Sequence, residues 1–114
     1  ATLDFPGDVK CVIDCGFTMT RRHAYEVVGT AGKIDVPAAF VPTKETYITV
    51  TKEGGTKQEE RFEAVNQYRL EFEHFSACIL QETPLRFLPQ DALANSKVIA
   101  ALRQSISDGK SVTV

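Results

Sequence analysis

Few side chains in this sequence stand where they could do chemistry, and their spacing decides what that chemistry would be. Glu71 and His74 are three apart in a helical-looking run, so both face one side of that helix. Di-iron bundles hold metal with this spacing, but they need a second copy and further carboxylates on other helices. The sequence shows no second copy, so the expected role is a solvated or hydrogen-bonded pair. His23 follows Arg21 and Arg22. Two guanidiniums beside an imidazole suit a phosphate or carboxylate clamp, while the plainer reading is a solvated start to a strand. Ser76, Ser96, Ser105, Ser107 and Ser111 fall on helices or near the end of the chain, none in a Gly-x-Ser-x-Gly elbow. Nothing in the sequence supports a Cys–His dyad. Glu59 and Glu60 lie on a charged strand and read as a solvated face. Asn66, Gln67 and Tyr68 stand where a strand gives way to a helix. Polar residues at such a junction cap the helix or line a pocket, and Asn66 as N-cap is the simpler role. No catalytic residue and no metal site is assigned.

The elements that must position these residues follow from periodicity. Residues 66–81 are the strongest helical pattern, with Tyr68, Phe72, Phe75 and Ile79 on one side and Arg69, Glu71, Glu73 and Gln81 leaving the others polar. Before it, the chain reads as strands and hairpins. Pro6-Gly7 signals a turn. Residues 9–19 alternate, with Val9, Cys11, Ile13, Cys15, Phe17 and Met19 on one face, which predicts a half-buried strand. Residues 22–30 and 33–36 form a hairpin around Gly29-Thr30-Ala31-Gly32. That Gly-x-x-Gly joins strand to strand, so it is not a phosphate cradle, which would lead into a helix. Residues 38–43 are an extended connection. Residues 45–52 and 57–63 are strands about the Gly54-Gly55 turn, and the charged second one suits an edge. Glu82-Thr83-Pro84 ends the first helix. Pro89 opens a second helix running to about Ser107, with Ala92, Asn95, Ile99, Leu102 and Ile106 as its inner stripe and Gly109 as its stop. Residues 111–114 can add a last edge strand. Strands and helices are segregated, which predicts an α+β fold: a mainly antiparallel open sheet with two helices packed on one face.

The bulk numbers bound the function. At 114 residues the chain is read as a single domain, residues 1–114, large enough for a core. Ala1 in place of a methionine fits a piece cut from something longer, and equally removal of a tag or processing. A net charge of −2 argues against a nucleic-acid binder. No apolar run is long enough for a bilayer, and no signal peptide is visible. Cys11, Cys15 and Cys78 are too few and too irregular for a disulfide framework. In a strand, Cys11 and Cys15 would lie roughly 13 Å apart, beyond bridging distance. They read as reduced, buried thiols of a cytoplasmic protein.

The order of motifs resembles a known family. The hairpin YEVVGTAGKIDVPAAF resembles the strand–Gly-turn–strand of the Gfo/Idh/MocA oxidoreductases. The helix QYRLEFEHFSACIL is similar to that family's Tyr-x-x-Glu-x-x-x-Phe pattern, here Tyr68, Glu71 and Phe75. ALANSKVIAALRQSISDGKSVTV is similar to its C-terminal helix and last short strand, and the dihydrodiol and xylose dehydrogenase-like branch looks nearest. The resemblance covers nearly the whole chain and implies an NAD(P)-dependent dehydrogenase of a sugar, polyol or related alcohol. It also implies what is missing here. The Gly-rich fingerprint of the N-terminal Rossmann domain has no counterpart, nor has the family's Glu-Lys-Pro lysine, nor its aspartate and histidine. The piece present would be the later part of the C-terminal domain. That part supports the substrate side of the cleft and forms a homo-oligomer through its sheet. It would bind no cofactor itself and be inactive alone. Asn66, Gln67 and Tyr68 match the family segment that approaches substrate, with Arg21 and Arg22 as runners-up.

The alternatives to that reading are a non-catalytic interaction domain that assembles through its sheet face, and a small stand-alone α+β binding protein. The outer face of residues 9–19, with Val12 and small residues, motivates the interaction domain. Neither alternative involves nucleic acid or a membrane.

Overall fold

The computed structural model describes residues 1–42, 44–80 and 83–114. The fold class is α+β with antiparallel pairing throughout. The chain divides into two compact units, Ala1–Phe17 with Gln81–Val114, and Thr18–Leu80.

In the first unit, β1 (Thr2–Phe5) pairs with β2 (Val9–Val12), Phe5 opposite Val9. The Pro6-Gly7 signal makes the turn between them, with Gly7 and Asp8 both at positive φ. Thr2–Phe5 therefore forms a strand where the sequence shows only a turn. The strand expected over residues 9–19 stops at Val12. Ala1 and Ile13 still exchange backbone hydrogen bonds, but after Ile13 no described strand pairs with the chain. An unpaired strand leaves its N–H and C=O groups to water and gains nothing from the extended form.

The long helix of this unit, α2 (Pro89–Asp108), has the expected ends. Pro89 occupies the first turn, where its missing N–H costs nothing. Gly109 closes the helix in the left-handed region, φ 64°, with its N–H bonded to the Ser105 carbonyl. The inner stripe is corrected. Ile99 and Ile106 are exposed, and the half-buried positions are Val98, Ala101, Leu102 and Ser105. Residues 111–114 form no strand, and among the described residues no strand pairs with them.

In the second unit the order β3 (Tyr25–Gly29), β4 (Gly32–Val36), β5 (Thr46–Lys52), β6 (Lys57–Phe62) is also the spatial order. Each pair is a hairpin or a short antiparallel connection. The charged β6 is an edge, as its sequence requires, and every residue in it is exposed. Gly32 is needed on two counts. Its φ is 144°, and a Cβ there would run into the Thr51 carbonyl on β5.

Asn66 caps α1 (Gln67–Ile79): its Oδ1 accepts from the Arg69 N–H at 3.1 Å. The expected helix end at Gln81 and the Glu82 part of its stop lie outside the described residues, as does the end of the 38–43 connection at Thr43. The expected cover of the sheet is corrected. Among the described residues of each unit, no helix packs on a strand. Tyr68, Phe72, Phe75 and Ile79 are accordingly all more than half exposed instead of forming a core. No described residue is buried. The stripe is placed by helical period alone, and period does not supply the surface to receive it. The cysteines are corrected likewise: Cys15 is exposed and Cys11 and Cys78 are only half-buried, all three as free thiols.

Candidate functional site

Three segments converge at one end of the four-stranded sheet. Residues 21–23 lead into β3, residues 38–42 leave β4, and residues 44–46 enter β5. Because β3 and β5 flank β4, antiparallel pairing brings the start of β3, the end of β4 and the start of β5 to the same end. The Ala39 N–H donates to the His23 carbonyl at 2.9 Å and holds the connection against the segment before β3. Between them lies a cleft of about 250 Å³ lined by Arg21, His23, Ala38, Val41, Pro42, Lys44, Glu45 and Thr46. Arg21 and Lys44 carry no ion pair among the described residues. The His23 Nδ1 is buried without a hydrogen-bond partner among them. Glu45 is engaged outward, accepting from Arg61 Nη1 at 2.8 Å.

Two charge clusters stiffen the same sheet. Glu26 and Asp35 stand opposite each other on β3 and β4, an unfavourable like-charge pair. Lys33 lies between them, 2.9 Å from Asp35 and 3.5 Å from Glu26. Its hydrogen bond to Asp35, then the charge of Asp35 and the contact to Glu26, hold the ammonium above its ordinary pKa. Across β5 and β6, Arg61 faces Tyr47 in register, its guanidinium 6.0 Å from the ring centre. Glu45 and Glu59, the latter at 2.6 Å, raise the pKa of Arg61 further.

The sequence-derived binding residues lie elsewhere, at the start of α1. The side-chain oxygen of Asn66 is taken by its capping bond. Gln67 is half-buried and Tyr68 exposed. None of the three lines the cleft, which instead takes Arg21 from the Arg21-Arg22-His23 run. On α1 the structure places Cys78 Sγ 3.5 Å from His74 Nε2. Sequence reasoning matched His74 only with Glu71, although Cys78 four residues on was the available signal. No group of three or more potential metal ligands forms among the described residues, and no described helix is long and apolar enough to cross a membrane.

Comparison with known proteins decides the family. Residues 1–114 match the oxidoreductase family, C-terminal alpha/beta domain. The chain belongs to that family. As an oxidoreductase C-terminal domain it is 30% identical over 120 residues to an uncharacterized oxidoreductase, ORF334, of Rhizobium meliloti, a match covering 100% of this chain and 36% of that protein. It is also 36% identical over 81 residues to a D-xylose 1-dehydrogenase [NADP(+)] of Haloarcula marismortui, covering 71% of this chain and 22% of that protein. The oxidoreductase domain thus spans about a third or less of the curated relatives it matches. No solved structure is significantly similar to it.

Proposed function

We propose that this chain is the substrate-side and assembly portion of an NAD(P)-dependent dehydrogenase that oxidises a sugar, polyol or related alcohol. The observation that carries the reading is the match of the whole chain to the oxidoreductase C-terminal domain, with a D-xylose 1-dehydrogenase among the relatives. In this reading the dinucleotide and the groups that move hydride and proton belong to a Rossmann domain outside these residues. The chain supplies no catalytic residue and is inactive alone. Asn66, Gln67 and Tyr68 supply substrate contacts from the start of α1, with Tyr68 offering an exposed phenol.

Exposure supports the assembly role. Apolar side chains such as Val27 and Val28 on β3 and Phe72 and Phe75 on α1 are each more than half exposed. Surfaces of this kind are stable in water only against other protein. A homo-oligomer formed through the sheet is the proposed cover.

The test is nicotinamide reduction by the full-length protein with D-xylose and a panel of polyols, using NAD and NADP in turn. Turnover of one of these substrates supports the reading, and no turnover of any with either cofactor refutes it. Tyr68→Phe should then raise KM or lower kcat. Unchanged kinetics across the panel would remove Tyr68 from the site.

A further inference from the structure

We infer that the cleft at the end of the four-stranded sheet, lined by Arg21, His23 and Lys44, is a binding site for a small oxyanion, a phosphate or a carboxylate. The site is separate from the start of α1 and does not depend on the dehydrogenase reading.

Three observations meet there. The two cations come from segments more than twenty positions apart in the chain, yet both line one concavity and neither has an ion pair among the described residues. In the same sheet Lys33 pairs with Asp35, and Arg61 with Glu45 and Glu59, while Lys52 and Lys57 at the opposite end have no ion pair among the described residues. The one carboxylate among the described lining residues, Glu45, bonds Arg61 through Oε1 and makes no ion pair with either cation. His23 then supplies a polar atom, Nδ1, that is shut off from solvent and unbonded among the described residues. An unmade bond of that kind is costly. His23 also lines the cleft, and a ring N–H of it can donate alongside Arg21 and Lys44. A planar guanidinium, an ammonium and an imidazole N–H together form a donor set with no acceptor, which selects an anion with several oxygens.

Size agrees with the chemistry. The cleft holds about 250 Å³, below the roughly 300–1,000 Å³ usual for drug-sized ligands. It therefore suits one anionic group, free or carried at the end of a small molecule. Ala38, Val41 and Pro42 supply the apolar part of the lining.

The test uses the full-length protein at low ionic strength. Inorganic phosphate and, separately, acetate are titrated while the His23 ring resonances are followed by NMR and the heat is measured by calorimetry. A saturable response at His23 to either anion is expected, and added sodium chloride should weaken it. Tighter phosphate binding identifies a phosphoryl site, and tighter acetate binding a carboxylate site. Arg21→Gln and Lys44→Gln should each weaken binding about tenfold or more, while Lys97→Gln on α2 leaves it unchanged. Circular dichroism confirms that each variant is folded. A cleft that holds only water predicts no saturable response, and that result overturns the proposal. Binding that survives both substitutions overturns it equally.

Discussion

Replacing Gly32 by alanine tests the geometry on which the whole four-stranded sheet depends. Gly32 lies opposite Gly29 on one side and Lys52 on the other. Two costs fall on the new methyl group. The backbone φ of 144° is one that side-chain-bearing residues adopt at about 1–3 kcal/mol. The Cβ would also drive into the Thr51 carbonyl and against the Lys52 backbone. These are main-chain atoms of a paired strand that cannot turn away, so overpacking adds about 1–3 kcal/mol. The sum, about 2–6 kcal/mol, is a large part of the roughly 5–15 kcal/mol that holds a domain together. Two other glycines separate the terms. At Gly54, φ is 89° but nothing lies within 4 Å, so alanine there reports the backbone cost alone. At Gly29 φ is not positive and the nearest atom is 3.9 Å away, so alanine should change stability by no more than about 0.5 kcal/mol. Urea unfolding of the three variants, with unchanged m-values, gives the comparison. The expected order of loss is Gly32→Ala, then Gly54→Ala, then Gly29→Ala. If Gly32→Ala costs no more than Gly54→Ala, the close approach of β4 to Thr51 is wrong.

The other predictions probe the cap and the two charge clusters. Asn66→Ala should cost about 1 kcal/mol and lower the helical circular dichroism signal, while Asn66→Asp keeps the cap; equal stability of the two would show that the Oδ1 bond to Arg69 does not hold α1. Lys33 has a folded pKa above its ordinary 10.5, so its contribution is complete below that pH and is lost as pH rises through the higher folded value. Wild type should therefore lose more stability than Lys33→Met between neutral and strongly alkaline pH, and parallel profiles would count against the Glu26–Lys33–Asp35 cluster. Arg61→Lys should lower the urea midpoint although charge is kept, because an ammonium cannot serve Glu45, Glu59 and the Tyr47 ring together; an unchanged midpoint would make that cluster ornamental.

The hairpins were legible wherever a turn residue and an alternating run coincided, as at Gly29 to Gly32 and at Gly54-Gly55. Segment β1 was not, because Thr2–Phe5 is too short to show alternation and acquires its form from β2. Residues 13–19 went the other way: they have strand periodicity, but no described strand pairs with them beyond the Ala1–Ile13 bonds. In the candidate cleft, the basic run at Arg21 was visible and an anion clamp was one of its readings. Lys44 was not visible as part of it, since nothing local ties residue 44 to residue 21.

The sequence by itself determined the family, the segregated α+β order, and the described local punctuation: Asn66 at the start of α1, Pro89 and Gly109 at the ends of α2, Gly32 in its hairpin. Each of these depends on φ, ψ and hydrogen bonds among residues a few positions apart, so the chain carries the information locally. Tertiary structure alone decided how far β2 extends, that residues 111–114 form no strand, and that the apolar stripe of α1 stays uncovered within its unit. It also decided that Arg21, His23 and Lys44 share one cleft. Pairing, burial and charge proximity are set by whichever distant segment arrives alongside, and periodicity names a face without naming what meets it.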